Sequence, residues 1–301
     1  MKYKVQMQKL IIFFLFSSLL FFWACDDEVK IARSALGKAH VIIIGGQSQA
    51  VGSADNMELP LEIINYKYQR TFIWETGWDS TQITWPRGER NPHDVQITNG
   101  WDNLSINTKQ RFSQGEGTHG IEPYLAFYFE KSFPDDTLYI INFSFGGIPL
   151  YEHSSFLDWS PKSDNEMYYY FINKHIEPAL KELTDPYLDG IYWAQGETDA
   201  QNIDGANSYF TNLSDFFNNI KFDLPSLGDS PKVILQVVKY DSINMPHVDI
   251  VREAQQKYCN PIFLNNATLI NCDSIPRITG DIHFNSLGYK LIALKLMDII
   301  Y

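Results

Sequence analysis

Cysteine is scarce: three occur in 301 residues, Cys25, Cys259 and Cys272, with no Cys-x-x-Cys pair and no His/Cys cluster. That argues against a structural zinc site. Basic residues are also few, 24 against 36 acidic ones for a formal net charge of −12, which argues against nucleic acid as a partner. No low-complexity tract breaks the chain, and no apolar run reaches the ~20 residues of a bilayer-spanning helix. No motif calls for a metal or an organic cofactor, so neither is expected. What is abundant is core-forming material: 45% hydrophobic and 15% aromatic residues, enough for one large domain.

Lys2, Lys4 and Lys9 precede an apolar stretch from Leu10 to Trp23, and then comes Ala24-Cys25-Asp26-Asp27-Glu28. A basic start and a short apolar segment describe a secretory signal. Cys25 stands where a bacterial lipoprotein is cleaved and acylated, and Ala24 suits the position before the cut. A plain signal peptide and an uncleaved anchor are the alternatives. The acidic run after the cysteine resembles the surface-export signal of Bacteroidetes lipoproteins. The expectation is a signal peptide over residues 1–24, an acylated Cys25 with a polar tether over 25–38, and a domain over 39–301. The domain would be exported and lipid-anchored to the outer membrane, on its cell-surface or periplasmic side, touching membrane only through that anchor. Cys259 and Cys272 are then left to form a disulfide or to sit as two buried thiols.

Within the domain, strand and helix patterns alternate. Val41-Ile42-Ile43-Ile44, closed by Gly45-Gly46, is too short for a helix and reads as a strand buried on both faces. Further strands are expected at 137–143, 188–194, 232–238 and 261–264. Helices are expected at 121–132, 166–183, 204–220 with Asp204 as cap, 248–258 and 285–300. This order predicts an α/β three-layer sandwich: a central, mostly parallel five-stranded sheet with helices on both faces. From about 53 to 120 the periodicity fades, and Trp74, Trp78, Trp85 and Trp101 lie among glycines and prolines. A stretch this long reads as a functional loop insertion. Trp85 or Trp101 could stack on a sugar ring, although each tryptophan also reads as core.

Loops that follow parallel strands converge on one edge of the sheet. That edge would collect Ser48, Gly146-Gly147 and Gln195-Gly196-Glu197, with Asp281-Ile282-His283 ahead of the last helix. Ser48, flanked by Gly46 and Gly52, is placed as a nucleophile would be. His283 is the candidate base and Asp281 the carboxylate that would hold its tautomer. The backbone N–H of Ser48, an N–H of Gly146 or Gly147 and the Gln195 amide are candidates for an oxyanion hole. Glu197 could orient the histidine, hold the Ser48 loop, or simply bond nearby backbone amides. Asp199 reads as a helix cap. Residues alone lead to a serine acyl hydrolase.

Gly46-Gln47-Ser48-Gln49-Ala50-Val51-Gly52 resembles the GQSNxxG block of the SGNH-hydrolase branch that contains sialate O-acetylesterases and the acetylxylan esterases of carbohydrate esterase family 6. Trp193-Ala194-Gln195-Gly196-Glu197-Thr198-Asp199 is similar to its WxQGExD/N block, Phe145-Gly146-Gly147 to its glycine block, and Asp281-Ile282-His283-Phe284 with Gly288-Tyr289 to its DxHxxxxGY block. The order and spacing cover about residues 40 to 300. The resemblance implies an SGNH, flavodoxin-like fold. It also implies removal of O-acetyl groups from a carbohydrate, with Ser48 as nucleophile, His283 as base and Asp281 or Glu197 as third member. Ser48, Gly146 or Gly147 and Gln195 would surround the oxyanion, with Gln47 and Glu197 in support. The implied partner is an acetylated glycan, and no metal or cofactor takes part. Gln49 stands where the family has Asn, and Thr198-Asp199 departs from the commoner pair. A general short-chain carboxylesterase, or a non-catalytic carbohydrate-binding lipoprotein on the same scaffold, is the alternative reading.

Overall fold

The run Val41-Ile42-Ile43-Ile44 forms the middle of a strand, β1 (Ala39–Gly46), buried from His40 onward. Successive side chains of a strand point to opposite faces. Accordingly Val41 and Ile43 enter one apolar cluster, while Ile42 and Ile44 enter another. In the computed structural model the described residues are 37–74, 100–106, 117–153, 157–164, 166–239 and 244–301. Cys25 with its signal segment, Trp78 and Trp85 lie outside them.

After β1 come α1 (Ser48–Val51), β2 (Ala54–Asp55), α2 (Leu61–Ile64), β3 (Thr71–Trp74), β4 (Trp101–Asn103) and β5 (Thr118–His119). They are followed by α3 (Glu122–Ser132), β6 (Thr137–Ser144) and a helical run, α4, over 167–181 whose middle turns, Phe171–Ile176, are π-helical. The chain ends with β7 (Tyr187–Ala194), α5 (Ile203–Asp223), β8 (Lys232–Leu235), α6 (Val248–Tyr258), β9 (Ala267–Ile270) and α7 (Ser286–Ile300).

The main sheet has seven strands, in the order β4-β3-β6-β1-β7-β8-β9. All its pairings are parallel except β3 with β4. Helices α4, α5 and α6 pack on the Val41/Ile43 face, and α2, α3 and α7 on the other. Register decides where the chemistry sits. Gly46 lies opposite Ser144 of β6 on one side and Ala194 of β7 on the other. The three central strands therefore end level, and the loops beginning at Gln47, Phe145 and Gln195 leave from the same edge.

Several expectations need correction. The five expected strands are seven, because β3 and β4 fall in the segment read as a loop. They are four and three residues long, too short to display a period. Residues 261–264 are not a strand: Pro261–Phe263 is a 3-10 turn capped by the Asn260 side chain, and Ile262 and Leu264 are exposed. The edge strand is β9, whose mixed Ala-Thr-Leu-Ile sequence lacks a continuous apolar run. Strand β8 ends at Leu235 rather than 238. Helix α5 is capped by Asn202, which accepts from the N–H groups of Asp204 and Gly205, not by Asp204. Trp101 is no open stacking platform. Its ring packs edge-on against Trp74 and Tyr139, and its indole N–H donates to the Ala179 carbonyl at 3.3 Å. Cys259 and Cys272 are both free thiols. Burial pushes each up to about 12, so they are inert near neutral pH.

Candidate active site

A sharp turn is needed between β1 and α1, and Gly46 supplies it. Its φ is +131°, and a Cβ there would stand 2.2 Å from the Ala194 carbonyl oxygen. No other residue fits without moving β7. Gln47 N–H then donates to that same carbonyl at 2.8 Å, pinning the turn to β7. Ser48 is the first residue of α1 and is buried. Its N–H belongs to the first turn, where helical amides lack an intrahelical acceptor.

The Asp281-Ile282-His283 turn is built around one carboxylate oxygen. Asp281 Oδ1 accepts from His283 Nδ1 at 2.8 Å, from Ile282 N–H at 2.6 Å and from His283 N–H at 3.3 Å. Burial raises the Asp281 carboxyl, but the neighbouring imidazole and the two N–H donors outweigh it and hold the group below the ordinary carboxylate range. An ionised Asp281 accepts only, so Nδ1 carries the proton and Nε2 is left with its lone pair. Glu197, the other candidate partner, makes no hydrogen bond to His283. It is buried, and burial together with the charge of Asp199 pushes it up to about 7, against the pull of its own backbone N–H.

The Ser48 turn and the histidine turn are joined directly. Gln49 Nε2 donates to the Ile282 carbonyl at 2.8 Å across 233 positions of sequence. Ser48 and His283 each flank one end of that bond. Their side chains are not hydrogen-bonded to each other. Gln49, whose departure from Asn left its contribution open, thus ties the two halves of the site together.

The opposite side of the crevice is assembled from the loops after β6 and β7. Phe145 N–H donates to the Gly46 carbonyl at 2.9 Å, holding the Gly146-Gly147 turn beside Ser48. Gly147 has φ +73°, and nothing lies within 4 Å of where its Cβ would be, so this turn is open. Gln47 Oε1 faces the N–H groups of Gly196 and Thr198 at 3.4 and 3.5 Å. Gln195 is buried with its amide nitrogen already engaged, donating to Asp199 Oδ2 at 2.6 Å and to the Ile148 carbonyl at 3.2 Å. Asp199 is not a helix cap: besides Gln195 it accepts from the N–H groups of Leu150 and Tyr151. Nothing in sequence signals that bond pattern, because its partners lie on a different loop. Beside Asp281 a polar cleft of about 340 Å³ opens, lined in part by Asp273, Ser274, Arg277 and Thr279.

A serine at the sharp turn after the central parallel strand, with an Asp-x-His turn fastened to it before the last helix, is an α/β arrangement similar to that of SGNH-type hydrolases. The chain belongs to the carbohydrate esterase family of sialic acid-specific acetylesterases, whose family profile matches residues 38–301. It is thereby a carbohydrate O-acetylesterase by class. Solved structures share the fold. NanS superposes with a TM-score of 0.63 at 16% identity over 88% of this chain and 97% of its own. A protein of Arabidopsis thaliana gives 0.61 at 17% identity over 88% and 100%. A carbohydrate acetylesterase from Xanthomonas citri gives 0.55 at 17% identity over 86% and 55%. No match is found among curated protein sequences.

Proposed function

We propose that this protein is a serine esterase that removes O-acetyl groups from a glycan through an acetyl-enzyme. The observation that carries the reading is the Gln49–Ile282 bond, which draws the Ser48 helix and the Asp281–His283 pair into one unit at the edge where β1, β6 and β7 end. Ser48 Oγ attacks the acetyl carbonyl carbon while His283 Nε2 takes the hydroxyl proton. The carbonyl oxygen, now anionic, meets the N–H of Ser48 and those of the Gly146-Gly147 turn. The C–O bond to the sugar breaks, and the sugar oxygen leaves with the proton from His283. Water then attacks the acetyl-enzyme, with His283 again taking and returning a proton, and acetate departs. Asp281 stays ionised throughout and holds the imidazole.

We also propose export and acylation at Cys25, on the strength of the signal pattern; incorporation of labelled fatty acid that persists in Cys25→Ser would refute it. The enzymatic test is acetate release by the 26–301 fragment from acetylated sialoglycan, xylan and pectin, beside Ser48→Ala. Release by the parent that falls at least ~10³-fold in the variant is the expected result. A folded protein that releases acetate from no member of the panel would favour the non-catalytic reading instead.

A further inference from the structure

We propose that Asp199 is a positioning residue for the Gly146-Gly147 side of the site, fixing the orientation of the buried Gln195 amide and clamping the Gly146–Tyr151 loop to the Gln195 turn. The inference rests on the serine-esterase reading for its kinetic consequence, but the clamp itself is a matter of geometry.

Asp199 has no solvent exposure and lies just past the end of β7. Its Oδ2 accepts from Leu150 N–H at 2.9 Å and from Gln195 Nε2 at 2.6 Å, while its Oδ1 accepts from Tyr151 N–H at 3.2 Å. Leu150 and Tyr151 follow the Gly146-Gly147 turn by three and four residues, so one carboxylate joins the loop after β6 to the loop after β7. An ionised carboxylate can only accept. The amide nitrogen of Gln195 must therefore face it, and Gln195 Oε1 must turn away, where it is buried without a protein partner. Of the two amide hydrogens, one is held at 2.6 Å by the carboxylate, and the other makes the longer 3.2 Å contact with the Ile148 carbonyl. Both hydrogens are thus spent on contacts to the neighbouring loops, which fixes the plane of the amide and with it the Gln195 turn. With a neutral, reversible partner in place of Asp199, the amide could turn over, and the contacts that join the two loops would weaken.

Keeping a carboxylate here is costly: burial raises it, the Leu150, Gln195 and Tyr151 donors lower it, and the net position is about 7, so the obligate acceptor is the form present above that pH. A group retained at such a cost is commonly retained for function.

Asp199→Asn keeps the size and removes the obligate acceptor. The expected result is a kcat roughly 10- to 100-fold lower with KM changed by less than ~2-fold. The same substitution placed in a Gln195→Ala background should cause a clearly smaller loss than in the parent, since only the Leu150 and Tyr151 contacts remain to be lost. An unchanged kcat in folded Asp199→Asn, or losses that multiply in the double variant, overturns the proposal. A second measurement needs neither turnover nor the Asp199 variant. In NMR spectra of the parent protein, the Gln195 side-chain NH₂, assigned by its disappearance in Gln195→Ala, should show one downfield, slowly exchanging proton, and the Leu150 and Tyr151 amides should be protected. Fast exchange at these three groups overturns the clamp whether or not the protein proves to be an esterase. If wild-type protein releases no acetate while these protons are protected, the esterase reading fails and the clamp stands.

Discussion

Two Asp–His pairs sit at opposite ends of the sheet with the same bond: Nδ1 to Oδ1 at 2.8 Å, in His283–Asp281 and again in His40–Asp189. Their surroundings differ completely. At the edge where strands end, His283 makes no hydrogen bond through Nε2 among the described residues, and its pair is partly open, with side-chain exposures of 21% and 43%. Where strands begin, His40 has Nε2 3.3 Å from Asp136, and Tyr301 donates to the second oxygen of Asp189 at 2.7 Å. The rings of Phe129, Phe133, Tyr187 and Tyr301 surround it. An Asp–His bond therefore says little about catalysis by itself; what matters is whether the far nitrogen is left for a substrate and which edge of a parallel sheet the pair occupies. A third histidine marks the other extreme: His175, in the π-helical part of α4, makes no hydrogen bond with either ring nitrogen and lies against Phe143, ring centroids 4.0 Å apart and planes tilted by 32°.

The largest effect should come from the open pair. Asp281→Asn removes the group that holds Nδ1–H, and kcat should fall ~10³- to 10⁴-fold while the unfolding midpoint in urea stays close to that of the parent. A loss below tenfold would hand the role of third member to Glu197. Asp189→Asn, the matching change at the closed pair, should leave kcat within ~2-fold but cost about 2–4 kcal/mol of stability, since it strips charge from a buried network. For His40, burial lowers its pKa, but Asp189 and Asp136 outweigh it and the net shift is upward. Its contribution is thus fully present below the unfolded value of about 6.5 and is lost as pH rises through the folded one. The stability gap between parent and Asp189→Asn should accordingly narrow in alkaline solution; a gap that widens there contradicts the assignment.

His175 has the opposite sign. Burial lowers it to about 3, so between pH 6.5 and 3 the unfolded chain binds a proton that the native protein refuses. Native stability then declines as pH falls below about 6.5, by ~2 kcal/mol at pH 5. His175→Phe keeps the ring contact with Phe143 and removes this dependence. Urea melts of both proteins at pH 7 and 5 isolate it, because the raised carboxyls of Glu197 and Asp199 are common to the two; an unchanged difference would mean that the ring is hydrated or paired. The smallest effect belongs to the tie between turns. Gln49→Met preserves volume but leaves the Ile282 carbonyl without its donor, which should lower kcat ~10-fold, about one net hydrogen bond's worth, with KM unaltered. A change confined to KM would show that the tie shapes substrate binding rather than the Ser48–His283 alignment.

Much of this was readable from local pattern. The β-branched run of β1, the proline-led start of α3 and the span of α6 all appear where periodicity and capping rules put them. What escaped were elements whose stability comes from neighbours. Strands β3 and β4 exist because Thr71–Ile73 pairs with residues 138–140 of β6 and then supports β4, not because their own residues alternate. The same holds in reverse for Pro261–Leu264, whose apolar residues imitate a strand but have no strand beside them.

By itself, then, the amino-acid order determined the central strand, the α/β alternation and the four short blocks from which the site is made, since each depends on neighbours within a few residues. Only the tertiary structure decided that Asp281 and not Glu197 touches the imidazole, that Gln195 turns its nitrogen to Asp199, and that Gln49 reaches Ile282. Those outcomes depend on strand register and on polar groups brought together under burial. A polar atom out of reach of water takes whichever partner the packed chain offers, and that choice is written in no single stretch of sequence.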